Sequence, residues 1–126
     1  MTKIMVASDA RWIREQVRTA FVAPGQRVIE VEHGREVRDA VGREHPDLVI
    51  LDLQIGSMGG FAVAIDLHLE ATAGRLPAAP ILLLLDREAD RFLAKRADAD
   101  AALLKPIDAG VLRRTAKSLL AERAAG

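Results

Sequence analysis

The chain of 126 residues contains no cysteine. That absence removes disulfides, thiolate zinc sites and thiol nucleophiles together. There is no excess charge either, since Lys and Arg together number 18 and Asp and Glu also number 18. Nothing therefore drives binding to nucleic acid or to an anionic membrane, and neither is expected as a partner. No uninterrupted apolar run approaches the roughly 18 residues that a membrane-spanning helix needs. The opening Met1-Thr2-Lys3-Ile4-Met5-Val6 enters a strand-like segment with no signal-peptide pattern, so a cytoplasmic location is expected. Internal repeats, low-complexity tracts and linkers are also missing. The length suits one domain, expected over residues 1–126 with no output domain.

What is present is apolar punctuation, with 50% of residues hydrophobic. Lys3 to Ala7 reads as a short strand ending at Ser8-Asp9. Behind it Ile13, Val17, Ala20 and Phe21 recur at helical spacing until Pro24-Gly25. Arg27 to Glu32 alternates as a second strand, and Val37, Ala40 and Val41 mark one face of a polar helix over Gly34 to Glu44. His45-Pro46 ends that helix, because the residue before proline avoids helical angles.

Asp47-Leu48-Val49-Ile50-Leu51-Asp52 is a third strand, apolar enough to be buried on both faces. The glycine-rich stretch Gly56-Ser57-Met58-Gly59-Gly60 follows, then a helix opened by Phe61, Ile65 and Leu69. Ile81 to Leu85 is a second wholly apolar strand. Asp86 to Ala97 is a charged helix with Ala89, Phe92 and Leu93 to bury. Ala101 to Leu104 is the last strand, and Asp108 caps a closing helix on which Leu112, Ala116 and Leu120 share a face.

Strand and helix alternate five times, and each connection is long enough for a crossover helix. The expected fold class is α/β, a (βα)5 doubly wound parallel five-stranded sheet. In such a sheet all strand C-termini lie on one edge, where ligands bind. Asp9, Asp52 and Lys105 would converge there. Two carboxylates and an ammonium suit ligation of a hard cation together with phosphoryl binding. Simpler roles are open to each: Asp9 as a helix N-cap, Asp52 as a turn residue, Lys105 as a surface lysine.

The order of these residues, with Pro46-Asp47-Leu48-Val49-Ile50-Leu51-Asp52, Met58-x-Gly60 and Leu103-Leu104-Lys105-Pro106-Ile107, resembles the CheY-like receiver domain of bacterial response regulators over essentially the whole chain. The resemblance implies a flavodoxin-like strand order 2-1-3-4-5. It implies that Asp52 is the phosphoacceptor for a phosphohistidine on a sensor histidine kinase or phosphotransfer protein, and that Lys105 contacts the phosphoryl group. It also implies Mg²⁺ held by Asp9, Asp52 and the main-chain carbonyl of Gln54, and a cis bond between Lys105 and Pro106.

Several positions depart from the family pattern. Ser8 stands where the family has the first of two acids, so Mg²⁺ binding should be weakened by the lost charge. Leu85 replaces the hydroxyl residue and Ala102 the aromatic residue of the usual switch. Asp86 stands where a small residue is usual, and its charge would repel an incoming phosphoryl group. Gly56 replaces a proline, leaving the loop looser. The reading is an atypical stand-alone receiver in two-component signalling, with a retained phosphoacceptor and a degenerate switch.

Partners would meet the face of the fourth helix, fifth strand and fifth helix, where Arg91, Lys95, Arg113 and Arg114 sit among Asp90, Asp98 and Asp108. A downstream protein or a symmetric homodimer would suit that mixed charge. Two alternatives are a phosphorylation-independent interaction scaffold and a small phosphatase or phosphotransferase using Asp52 as nucleophile. Against the last, the chain offers no evident general acid or cap domain, so the expectation is no enzyme beyond self-phosphorylation and autodephosphorylation. The glycine-rich stretch lacks the lysine and hydroxyl pair of a P-loop. His33, His45 and His68 have no ligand spacing, and Trp12, the only tryptophan, is expected in the core.

Overall fold

A computed structural model describes residues 1–54 and 58–125. The elements are β1 (Thr2–Ala7), α1 (Arg11–Ala20), β2 (Gln26–Val31), α2 (Val37–Glu44), β3 (Leu48–Asp52), α3 (Gly60–Thr72), β4 (Ile81–Leu85), α4 (Arg91–Arg96), β5 (Ala101–Leu104) and α5 (Ala109–Ala125). Short 3₁₀ turns at Gly34–Glu36 and Glu88–Asp90 lead into α2 and α4. The five strands form one sheet in the order β2-β1-β3-β4-β5, and every pairing is parallel. The strand order is the one the resemblance implied.

Residue alternation along the strands divides the core into two layers. Ile4, Val6, Leu48, Ile50, Leu82 and Leu84 pack on one face against Ile13 and Val17 of α1 and Leu112 and Ala116 of α5. Met5, Ala7, Val49, Leu51, Leu83 and Leu85 pack on the other against residues of α2, α3 and α4. With both faces covered, all five residues of β3 and all five of β4 are buried. Full burial of each such leucine or valine contributes roughly 1.5–3 kcal/mol. The central strands are thus the most firmly held part of the chain, and β3 carries Asp52 at its end.

The helices begin and end where local chemistry requires. His45 closes α2 in the left-handed region at φ 50, and Pro46 follows it. The Asp108 carboxylate accepts the Val111 N–H at 2.9 Å, capping α5. Asp47, just before β3, accepts the Lys3 N–H at 2.8 Å and pairs with Arg123 near the end of α5. The start of β3 is thereby tied both to β1 and to the last helix.

Four expectations are corrected. The buried face of α3 is Val63, Ala64 and Leu67, with Phe61 and Ile65 half-buried at its margin and Leu69 exposed. The helix is apolar on more than one side, and the stripe it turns to the sheet is centred on Val63, Ala64 and Leu67, beside the row of Phe61, Ile65 and Leu69. In α4 the residues against the sheet are Ala94 and Ala97, while Ala89 and Phe92 are exposed and Leu93 is half-buried. The Arg96 guanidinium lies 5.5 Å from the Phe92 ring centre, in cation–π contact. Trp12 is outside the core at 55% exposure. Asp90 is buried and so is absent from the charged outer face assigned to it. Gly56, where a looser loop is expected, lies outside the described residues with Ile55 and Ser57.

Candidate functional site

At the C-terminal edge of the sheet the ends of β1, β3, β4 and β5 present Ser8, Asp52, Asp86 and Lys105. The parallel register explains the assembly: Ala7 lies beside Leu51, Asp52 beside Leu84, and Leu85 beside Leu104. Asp52, buried at 2% exposure, has both carboxylate oxygens engaged. Its Oδ1 accepts from Lys105 Nζ at 2.6 Å and from the Gln54 N–H at 3.1 Å. Its Oδ2 accepts from the Ser8 hydroxyl at 2.7 Å.

Lys105 also donates to Asp86 Oδ1 at 3.1 Å. Its ammonium is thus shared between a buried carboxylate and a partly exposed one. Burial by itself pushes the Lys105 pKa down, but the hydrogen bonds to Asp52 and Asp86 outweigh it and hold the pKa above its ordinary 10.5. The lysine remains a cation throughout the neutral range. The bond from Lys105 to Pro106 is cis.

Gly60 explains how α3 can start directly under this site. A Cβ there would stand 2.3 Å from the Asp52 carbonyl oxygen, closer than any side chain can approach. Only glycine lets the first turn of α3 touch the strand end that carries Asp52. Gly34 plays the same part against Met58, whose carbonyl oxygen would be 2.0 Å from an added Cβ.

Asp9 lies just past Ser8 and is exposed. The simple reading of Asp9 as an N-cap does not hold, because Ala10 occupies that position in α1 and its N–H is taken by Ser8 Oγ at 3.1 Å. Gln54 is exposed beside Asp52 and Pro106 is exposed beyond Lys105. Leu85 is fully buried among the residues facing α3 and α4. Ala102 is half-buried on the same face, and its carbonyl accepts from Arg91 Nη1 at 3.3 Å. Neither has a polar side-chain atom to offer the edge.

One further side chain at this edge was not singled out in the sequence. Arg14 is buried in α1, where it donates to the Ser8 carbonyl at 2.7 Å and pairs with Glu30 at 3.3 Å and Glu32 at 3.4 Å. The available signal was its place one residue past Ile13 on the buried side of α1, opposite two acids spaced by two, Glu30 in β2 and Glu32 just beyond it. Among the described residues no group of three or more His, Cys, Asp or Glu side chains is placed to hold a metal ion. The hard oxygen donors at the edge are the carboxylates of Asp9, Asp52 and Asp86 and main-chain carbonyls. This set fits a Mg²⁺ that keeps several of its waters and takes few protein ligands.

A buried carboxylate held beside a lysine ammonium thus stands on the open edge of a doubly wound parallel sheet, the edge at which α/β domains of this class bind their ligands. The family model for the response regulator receiver domain matches residues 4–117, and the chain belongs to that family, the receivers of two-component signalling. A response regulatory protein of Mycobacterium tuberculosis, MT3230, is 36% identical over 124 residues, covering 94% of this chain and 90% of that protein. The KDP operon transcriptional regulatory protein KdpE of Escherichia coli is 35% identical over 116 residues, 90% of this chain and 48% of its own length. The chain spans about half the length of KdpE and of several other curated relatives. The receiver domain of the sensor histidine kinase PA1611 from Pseudomonas aeruginosa superimposes with a TM-score of 0.81 at 19% identity, covering 95% of this chain and 98% of that one. That structure has a magnesium ion coordinated in its active-site cleft. No helix among the described residues is long and apolar enough to cross a membrane.

Proposed function

We propose that this receiver accepts a phosphoryl group on Asp52 from the phosphohistidine of a sensor kinase or phosphotransfer protein, and works in the cytoplasm through protein contacts. The observation that carries this reading is the buried Asp52 carboxylate with Lys105 Nζ 2.6 Å from it at the ligand edge of the sheet. One Asp52 oxygen attacks phosphorus, the bond from phosphorus to the imidazole nitrogen breaks, and the imidazole keeps the electron pair. The product is an acyl phosphate on Asp52. Lys105 sits where its ammonium would pair with the oxygens on which charge gathers during transfer.

Mg²⁺ would be held by Asp9, Asp52 and the Gln54 carbonyl, and when bound it supplies positive charge opposite those same oxygens. Ser8 contributes a hydroxyl where a second carboxylate would add charge, so the ion would be held more weakly. Mass spectrometry after incubation with acetyl phosphate and Mg²⁺ tests the proposal. The phosphoryl mass increment should appear on the wild type and be absent from Asp52→Asn; an unmodified wild type would refute it.

A second reading is a phosphorylation-independent scaffold. It is favoured by one observation, that both Asp52 oxygens are already bonded inside the fold. The scaffold reading expects Asp52→Asn to leave partner binding unchanged, whereas the phosphoacceptor reading expects binding to lose its dependence on the phosphodonor.

A further inference from the structure

The ordinary route from a phosphoryl group to the outer face needs a hydroxyl at the end of β4 and a mobile ring on β5, and Leu85 and Ala102 supply neither. The edge has a different feature in Asp86. Its carboxylate is 3.1 Å from Lys105 Nζ, on an ammonium that Asp52 also holds at 2.6 Å. Asp86 therefore already occupies a Lys105 donor that an arriving phosphoryl oxygen would take. A phosphoryl group brings close to two negative charges and three acceptor oxygens. Asp86 and that group are like charges competing for one cation.

The segment after Asp86 is built to register its movement. Arg87 donates its N–H to the buried Asp90 carboxylate at 3.0 Å, and its guanidinium pairs with Asp90 at 3.4 Å. These bonds close the 3₁₀ turn that leads into α4. Upstream, β4 is pinned by the Lys105 N–H, which donates to the Leu85 carbonyl at 2.8 Å. Between the fixed strand and the clamped turn stands Asp86, with 35% of its side chain exposed and Lys105 as its ion-pair partner.

We propose that Asp86 is a positioning residue that gates the site: it holds Lys105 until phosphorylation of Asp52 displaces it, and its release is the signal passed to the Arg87–Asp90 turn and α4. This rests on Asp52 being the phosphoacceptor. The coupling works by expulsion of an internal anion, where a hydroxyl switch works by recruitment of a donor. Two consequences follow. Asp86 slows phosphoryl acceptance, and the conformational response is lost without its charge.

The test compares wild type, Asp86→Asn and Asp86→Glu, each with acetyl phosphate and Mg²⁺. Modification is followed by intact mass, and the backbone amides of Arg87 to Asp90 by NMR. In the chemical step an Asp52 oxygen bonds to phosphorus, the bond from phosphorus to the acetate oxygen breaks, and acetate leaves with the electron pair. Asp86→Asn, similar in shape but neutral, should be modified about tenfold faster, the effect of removing about 1.4 kcal/mol of repulsion. Its turn amides should no longer shift on modification. Asp86→Glu should restore the slow rate and the shift, which a purely structural role would not predict. If wild type and Asp86→Asn are modified at equal rates with equal shifts, the gate is refuted and Asp52 stands as phosphoacceptor. If Asp52 is modified in none of the three, the phosphoacceptor reading fails and the gate fails with it.

Discussion

Replacing Ser8 by aspartate should turn the apoprotein against itself and make its stability depend on Mg²⁺. Ser8 is fully buried, and its hydroxyl donates to Asp52 Oδ2 at 2.7 Å. A carboxylate there loses that hydrogen bond, worth about 1 kcal/mol, and faces Asp52 as a like charge. At roughly 4 Å and an effective dielectric constant near 20, the repulsion is about 4 kcal/mol. Relaxation and partial protonation would absorb some of it, so Ser8→Asp without metal should be about 3–4 kcal/mol less stable than wild type. A divalent cation between the two carboxylates offsets most of that loss. At a free concentration 100 times its dissociation constant it would return about 2.7 kcal/mol. Urea denaturation in EDTA and in Mg²⁺ measures both numbers. The reasoning is refuted if the variant matches wild type in EDTA, or if Mg²⁺ fails to raise its midpoint.

Other perturbations reach other parts of the structure. The Lys105 pKa is raised in the folded state, so its contribution to stability is complete below the unfolded value of 10.5 and is lost as pH rises through the folded pKa above it. Denaturant titrations of wild type should therefore fall more steeply above that pH than those of Lys105→Met, and parallel curves would contradict the ion pairs at Asp52 and Asp86. Leu83→Ala empties a fully buried site in β4 and should cost about 2–5 kcal/mol by chemical denaturation. Gly60→Ala drives a Cβ toward the Asp52 carbonyl, so it should cost about 1–3 kcal/mol and slow modification of Asp52. An unchanged rate would show that the start of α3 does not position the strand end.

Much of the fold was legible because the central strands are buried on both faces. Leu48 to Asp52 and Ile81 to Leu85 could be read as strands from apolar continuity alone, and the alternation of elements then required a parallel sheet. Helix faces were legible where the apolar residues are confined, as with Ile13, Val17 and Ala20 on α1. They were not legible on α3, where apolar residues occur all round the helix and Val63, Ala64 and Leu67 form the buried stripe, nor beside β5, where small residues make the contact with the sheet. Ala64, Ala94 and Ala97 bring the backbone close to the strands, and the large side chains Leu69 and Phe92 are left outside. Trp12 illustrates the same limit, since size alone does not place a residue inside.

The meeting of Asp52 and Lys105 followed from the parallel-sheet rule, because strand ends meet at one edge whatever their separation in sequence, and Ser8 and Asp86 follow the ends of β1 and β4. The bonds among them did not. Whether the Ser8 hydroxyl turns to Asp52, whether Lys105 reaches Asp86, and whether Arg14 folds back over the Ser8 carbonyl depend on side-chain rotamers and on the relative heights of neighbouring strands. Those contacts determine how the site resists or admits a phosphoryl group.

The most direct measurement is peptide mapping after brief exposure of the protein to a histidine-phosphorylated donor domain with Mg²⁺. The account predicts a single base-labile, hydroxylamine-sensitive phosphoryl group on the peptide containing Asp52, absent when Asp52 is replaced by asparagine. A phosphoryl group on a different residue, or undiminished modification of Asp52→Asn, would contradict it.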